Sequence, residues 1–169
     1  MVSMNINRLM KHLWSHGRQV EKFFSKQDLA AITKAIENSE GGHSGQICFA
    51  VEGALDLPSL LKDLSPRDRA LEVFTRLRVW DTERNNGILI YVVLADHAVE
   101  IVADRGIHSK VDTSAWDVIC HKIESQFALH KYRAGALVGI DMVSQLLQRH
   151  FPRASPSDNE IPDEPVLVD

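Results

Sequence analysis

The run from Ile88 to Leu94 constrains this chain most. It is apolar throughout, and it follows the polar stretch Trp80-Asp81-Thr82-Glu83-Arg84-Asn85-Asn86-Gly87. A strand with one wet face alternates apolar and polar residues, so a run without alternation belongs to a central strand covered on both faces. Such a strand demands helices above and below it. The segment Val99 to Ala103 returns after the short turn Ala95-Asp96-His97 as an antiparallel neighbour. The hairpin, at about 88–103, therefore places Asn85 and Asp104 at one end of the sheet. Gln46 to Glu52 reads as a further strand. If it runs parallel to 88–94, His43 joins the same polar rim; if it is reversed, His43 moves to the opposite end.

Helical spacing surrounds these strands. Residues 5–24 read as a helix with Leu9, Leu13 and Val20 inward and Gly17 weakening its middle. Residues 26–37 read as a helix capped by Ser25, with Asp28 at the capping-box distance and Leu29, Ile32 and Ile36 on one face. Gly53 to Ser65 reads as a connection, and Ser65-Pro66 starts a helix with Ala70, Phe74 and Leu77 inward. Residues 112–127 place Trp116, Ile119, Cys120, Ile123 and Phe127 on one side. Residues 132–148 do the same with Leu137, Ile140, Val143 and Leu147. The expected architecture is an α/β fold, a three-layer αβα sandwich with a central mixed sheet. Its expected organisation is an N-terminal helical extension over 1–24, an α/β domain over 25–151 and an acidic, Pro-rich tail over 152–169. The tail reads as extended or disordered, and its Val166-Leu167-Val168 can dock on a sheet edge.

The net charge of -4 resides in that tail, where Asp158, Glu160, Asp163, Glu164 and Asp169 face Arg153 alone. The body is neutral, which gives nucleic acid no basic surface to bind. No stretch approaches the ~20 apolar residues of a membrane helix. No secretory signal is visible at the start. Cys48 and Cys120 stand in apolar surroundings and read as buried free thiols of a reducing, cytoplasmic compartment.

The order Asn85-Asn86-Gly87-Ile88-Leu89-Ile90, then Val99-Glu100-Ile101-Val102-Ala103-Asp104-Arg105-Gly106-Ile107, resembles the TPM domain family. That family includes photosystem II repair proteins of the thylakoid lumen and many bacterial proteins. Trp80-Asp81-Thr82 before Asn-Asn-Gly is similar to a soluble bacterial branch. So are Ser39-Glu40, His43 and Gly45 before the first strand, and Asn159-Glu160-Ile161-Pro162-Asp163 in the tail. The similarity spans roughly residues 25–165, judged by motif order. The resemblance implies an αβα sandwich. It also implies divalent-cation binding, reported for some members, and acid phosphatase activity, proposed for some. The chain departs from the family at Asp104-Arg105-Gly106-Ile107-His108, where Gly-Tyr-Gly-Leu-Glu is typical, and at Gly45-Gln46, where Gly-Glu is typical.

Candidate chemistry gathers at the rim. Asp81, Asp104 and Asp112 carry the hard oxygens that calcium or magnesium takes; the competing reading gives them turn, pairing and capping duties. His43, Asn85, Asn86, Arg105 and His108 make up the candidate binding rim. His108 and Arg105 are the catalytic candidates, as a proton-transfer group and an anion clamp. An ion pair is the simpler reading of Arg105. His12 and His16, four apart on the expected helix, have metal-ligand spacing but no third ligand, which favours solvated side chains. The chain lacks a phosphate-binding Gly-x-x-x-x-Gly-Lys loop, a Gly-x-Ser-x-Gly elbow and a His-Glu-x-x-His motif. The function expected from the sequence is a module that binds a protein partner, an ion or a small anion at the rim. The alternative is a weak, divalent-metal-assisted acid phosphatase.

Overall fold

The computed structural model describes residues 6–14, 20–154 and 158–168. Its elements run α1 (Ile6–Trp14), α2 (Val20–Phe23), α3 (Lys26–Ser39), β1 (Gln46–Glu52), α4 (Leu57–Leu61), α5 (Pro66–Arg76), β2 (Gly87–Val93), β3 (Ala98–Ala103), α6 (Arg105–His108), α7 (Thr113–Ala128), α8 (Tyr132–His150) and β4 (Val166–Val168). The strands form one mixed sheet in the order β3-β2-β1-β4. β1 pairs parallel with β2, Gln46 opposite Gly87, and β2 pairs antiparallel with β3, Ile88 opposite Ala103. Every residue of β1 and β2 is buried, as the unbroken apolar run of β2 requires.

Two cores flank the sheet. On one face Ile47, Phe49, Ile88, Ile90 and Ile101 meet α3, α7 and α8. On the other Cys48, Ala50, Leu89, Tyr91 and Val102 meet Ala70, Val73 and Phe74 of α5. The result is the expected three-layer αβα sandwich. Cys48 and Cys120 are free and buried, and burial pushes both thiols up to about 12.

Local chemistry sets the ends of the helices. Asp28 completes the capping box of α3: its backbone N–H donates to Ser25 Oγ (3.2 Å) and its carboxylate accepts from Ser25 N–H (2.9 Å). Ser65 caps α5 in the same manner, accepting from Asp68 N–H at 3.0 Å. The expected connection 53–65 contains α4, a short helix capped by Asp56 with Pro58 in its first turn. Four or five helical residues leave too little periodicity to be read from sequence.

Of the single helix expected over 5–24, the described residues hold α1 and α2; the stretch 15–19 between them, with His16 and Gly17, lies outside the described residues. Leu13, expected inward, is exposed, and His12, expected in solvent, is fully buried. Ion pairing decided the helix's orientation, as described below. The tail docks: β4 adds to the free edge of β1 in parallel, Val51 opposite Leu167, and Ile161 is buried. Among the described residues no helix is long and apolar enough to cross a membrane.

Candidate functional site

Because β1 and β2 are parallel and β3 is antiparallel, one end of the sheet gathers the starts of β1 and β2 and the finish of β3. His43, Asn85, Asn86, Asp104 and Arg105 all lie there. The loop before β2 is held from within. Thr82 Oγ1 accepts from Asn86 N–H at 3.0 Å, and Asn85 takes a left-handed conformation (φ 51°) that Asn tolerates. The Asn86 side-chain amide donates to the Ser44 carbonyl, tying the loop to the start of β1. Glycine is required for space rather than for dihedral freedom. A Cβ on Gly87 would stand 1.9 Å from the Val79 carbonyl oxygen, and one on Gly106 would stand 2.4 Å from that of Asn85.

Asp104 caps the one-turn helix α6 through Oδ1, which accepts from Arg105 N–H at 2.7 Å. Arg105 Nε donates to Asn85 Oδ1 at 2.9 Å, and Gly106 N–H donates to the Asn85 carbonyl at 3.1 Å. Asn85 and the Asp104 turn are therefore neighbours, as the hairpin geometry required. Arg105 sits in α6 bonded to Asn85, rather than at the amino end of α7. His108 ends α6, exposed, beside a groove of about 160 Å³ that Arg67, Glu100 and Trp116 also line.

The other two carboxylates stay apart from this cluster. Asp112 caps α7, accepting from Ser114 N–H at 2.8 Å, and the Ser114 hydroxyl and backbone bonds hold its carboxyl below the usual range. Asp81 faces Arg78 at 3.9 Å. Among the described residues no group of three or more His, Cys, Asp and Glu stands ready to hold a metal ion directly.

Besides Glu40 Oε1, three buried atoms at the rim have no hydrogen-bond partner: His43 Nε2, Asn86 Oδ1 and Asp104 Oδ2. His43 is buried, and its Nδ1 lies 3.1 Å from the Gly45 carbonyl, so Nδ1 carries the proton and donates. Burial pushes the ring down to about 4 against that bond, with the Arg153 charge adding to the depression. The ring is neutral at pH 7, and Nε2 presents a lone pair. All three atoms are thus acceptors awaiting a donor. Leaving such a group dry and unpaired costs about 1–3 kcal/mol.

Beside His43, burial pushes Glu40 up to about 7, and the neighbouring Asp163 charge adds to it. The Arg153 charge opposes this rise, and Glu37 supports it. The two groups give opposite pH dependences. His43 falls from the ordinary 6.5, so its contribution to stability is lost as pH drops through 6.5 toward about 4. Glu40 rises from the ordinary 4.5, so its contribution is lost as pH climbs from 4.5 through about 7. Between 4.5 and 6.5 the two slopes oppose each other. The depressed carboxylates Asp28, Asp56, Asp96 and Asp112 act below that window. Glu100, which burial also raises, acts in the same direction as Glu40, so urea denaturation should find no loss of wild-type stability toward the acid side of that window. Glu40→Gln should lose stability toward the acid side, with a slope approaching about 1.4 kcal/mol per pH unit. Parallel profiles for the two proteins would refute the assignment.

The opposite end of the sheet holds residues that the sequence reading missed. Arg69 forks onto Glu52, Nε to Oε2 at 3.0 Å and Nη2 to Oε1 at 2.8 Å, and the Tyr91 hydroxyl donates to Glu52 Oε2. His12 Nδ1 accepts from Leu55 N–H at 2.9 Å, which leaves Nε2–H to donate to Asp96 at 2.9 Å. Arg8 adds two bonds to Asp96. Burial pushes the Asp96 carboxyl up, but hydrogen bonds from His12 and Arg8 outweigh it and hold the group well below the carboxylate range. The available signal was a glutamate directly after the apolar run Ile47 to Val51 and a tyrosine inside another. In open α/β sheets ligands favour the carboxyl ends of the strands. Here the chain's own ion pairs fill that end, and the rim at the amino ends of β1 and β2 carries the unsatisfied groups.

A model of the TPM domain matches residues 18–146. Among curated proteins none matches the chain. The NMR structure of BA42 protein from the psychrophilic bacterium Bizionia argentinensis superposes with a TM-score of 0.76 at 28% identity, covering 90% of this chain and 100% of that one. The N-terminal domain of a P. gingivalis protein superposes with a TM-score of 0.62 at 18% identity over 76% of this chain and 79% of that one, a likeness of fold alone.

Proposed function

Starting from the premise that this chain belongs to the TPM domain family, we propose that it is a binding module whose polar rim takes up a hydrated divalent cation, calcium or magnesium. The observation that carries this reading is the set of desolvated acceptors, His43 Nε2, Asn86 Oδ1 and Asp104 Oδ2. Acceptors need donors, and the waters of a bound cation are donors. Magnesium in particular keeps several of its waters and binds through one or two carboxylates. Asp104 would supply the charge, and Asn86 and His43 would hold water. Outer-sphere binding of this kind does not need three protein ligands around one ion. It also leaves Asp81 and Asp112 to their structural duties.

Binding is favoured over catalysis on the same grounds. Arg105 is engaged with Asn85, and His108 is exposed on α6, outside the buried acceptor set.

The test is a titration of isotopically labelled protein with calcium, magnesium and manganese chlorides, read by NMR. The Asn86 side-chain amide and the amides of His43 and Asp104 should shift together. Asp104→Asn keeps an oxygen for the α6 cap while removing the charge, and it should weaken binding by about tenfold or more. Spectra unchanged by all three cations would defeat the proposal.

A further inference from the structure

We propose that tail residues 159–163 form a strap that closes the rim, and that the His43 and Asn86 acceptors become reachable only when it lifts. Burial calls for a moving part. His43 Nε2 and Asn86 Oδ1 are closed off from solvent as well as unpaired. A group that no water reaches meets no hydrated ion either. Something has to give way before these atoms can hold a ligand's waters. The inference rests on the cation reading given above only for what enters, and not for what covers the acceptors.

The rim has two lips, residues 40–46 at the start of β1 and residues 82–86 before β2, and the tail is fastened to both. On the first, Gln46 Oε1 accepts from the Glu160 N–H at 2.9 Å and from the Ile161 N–H at 3.3 Å. On the second, Glu160 Oε2 accepts from the Glu83 N–H at 2.8 Å. Glu160 therefore ties the lips together. Ile161, 6% exposed, enters the core that α5 covers. Gln46 N–H donates to the Asn86 carbonyl, so the strap crosses the seam where Asn86 sits. The fastening is light. Asn159, Glu160 and Pro162 are exposed, which leaves Ile161 as the strap's one deeply buried side chain. Asp163 stands beside Glu40, where its charge helps to hold that carboxyl above the usual range, and like charges in contact weaken the closure. β4 is paired at the opposite end of β1, opposite Ala50 to Glu52, so lifting the strap need not release it. By linkage, a docked strap and a hydrated cation at these acceptors oppose each other: the cation favours the lifted state, and a loosened strap tightens the cation.

A soluble nitroxide, added to the full chain without any cation, separates closure from binding. The NMR signals of the Asn86 side-chain amide and the His43 ring should stay sharp in the wild type. They should broaden in Ile161→Ser and in Glu160→Ala, which remove different fastenings, while unchanged α7 amides confirm the fold. Leu167→Thr alters an exposed side chain of β4 and should behave as the wild type. Magnesium is then added. Ile161→Ser leaves the charge unaltered and should bind it about threefold or more tightly than the wild type. In the wild type magnesium should speed hydrogen exchange at the Glu160 and Ile161 N–H groups. Signals that stay shielded in both variants overturn the strap, whatever magnesium does. Shielding lost in both variants with no magnesium response in any protein upholds the strap and defeats the cation reading alone. Equal magnesium affinity in the wild type and Ile161→Ser, with Glu160 and Ile161 exchange unchanged, overturns the opposition between strap and cation.

Discussion

Replacing Arg69 by Met is expected to destabilise the fold by about 3–5 kcal/mol, seen as a lower urea midpoint at an unchanged slope. The guanidinium is the counter-charge for Glu52, which is 1% exposed at the end of a strand buried along its whole length. Without it a carboxylate remains in the apolar layer between the sheet and α5, with only the Tyr91 hydroxyl for company. The loss is comparable to the entire stability of many domains of this size. The control is the triple variant Glu52→Leu/Arg69→Met/Tyr91→Phe, which removes charge and hydroxyl together. Because the desolvation penalty disappears along with the attraction, it should be far more stable than Arg69→Met alone. A triple variant that sums the single losses would show that the network stabilises by direct attraction instead.

The same buried network marks the limit of what the sequence could reveal. The central strands were legible because an unbroken apolar run has only one environment. The hairpin then fixed which polar groups share a rim, and the parallel pairing of β1 brought His43 among them. The inward residues of α7, from Trp116 to Phe127, followed from spacing alone. Contacts between segments far apart in the chain were not legible. His12 reads as a surface histidine until Asp96, distant in sequence, is placed beside it. Leu13 reads as core until that ion pair turns α1 over. Tyr91 reads as one more apolar residue because periodicity registers its ring and overlooks its hydroxyl. At the rim, sequence identified the residues but not their state. Only the folded structure shows that His43 is neutral with Nε2 unpaired, that Asp104 spends one oxygen on α6, and that Asp112 is committed to α7.

Gly87→Ala should be the most damaging small substitution at the rim, costing about 2–3 kcal/mol and displacing the cation-binding groups together. Elsewhere a change of Gly to Ala stabilises by about 0.4–1 kcal/mol through the unfolded chain. Gly41 provides that baseline, since its added Cβ would meet nothing closer than the Asn38 carbonyl oxygen at 3.7 Å. At Gly87 the entropic gain is overwhelmed, because the atom in the way, 1.9 Å from the new carbon, is a backbone oxygen that cannot rotate aside. The strand start or the Val79 turn has to move. Asp104 N–H donates to the Gly87 carbonyl, and Gln46 N–H donates to the Asn86 carbonyl, so either movement reaches both neighbouring strands. The measurable signature is joint: a reduced melting temperature, shifted amides at Gln46, Asn86 and Asp104, and weakened responses to added cation. Gly41→Ala should raise the melting temperature slightly and leave the amides and the cation response untouched. If Gly87→Ala melts and titrates like the wild type, the rim is soft, and its unpaired acceptors cannot be a preformed site.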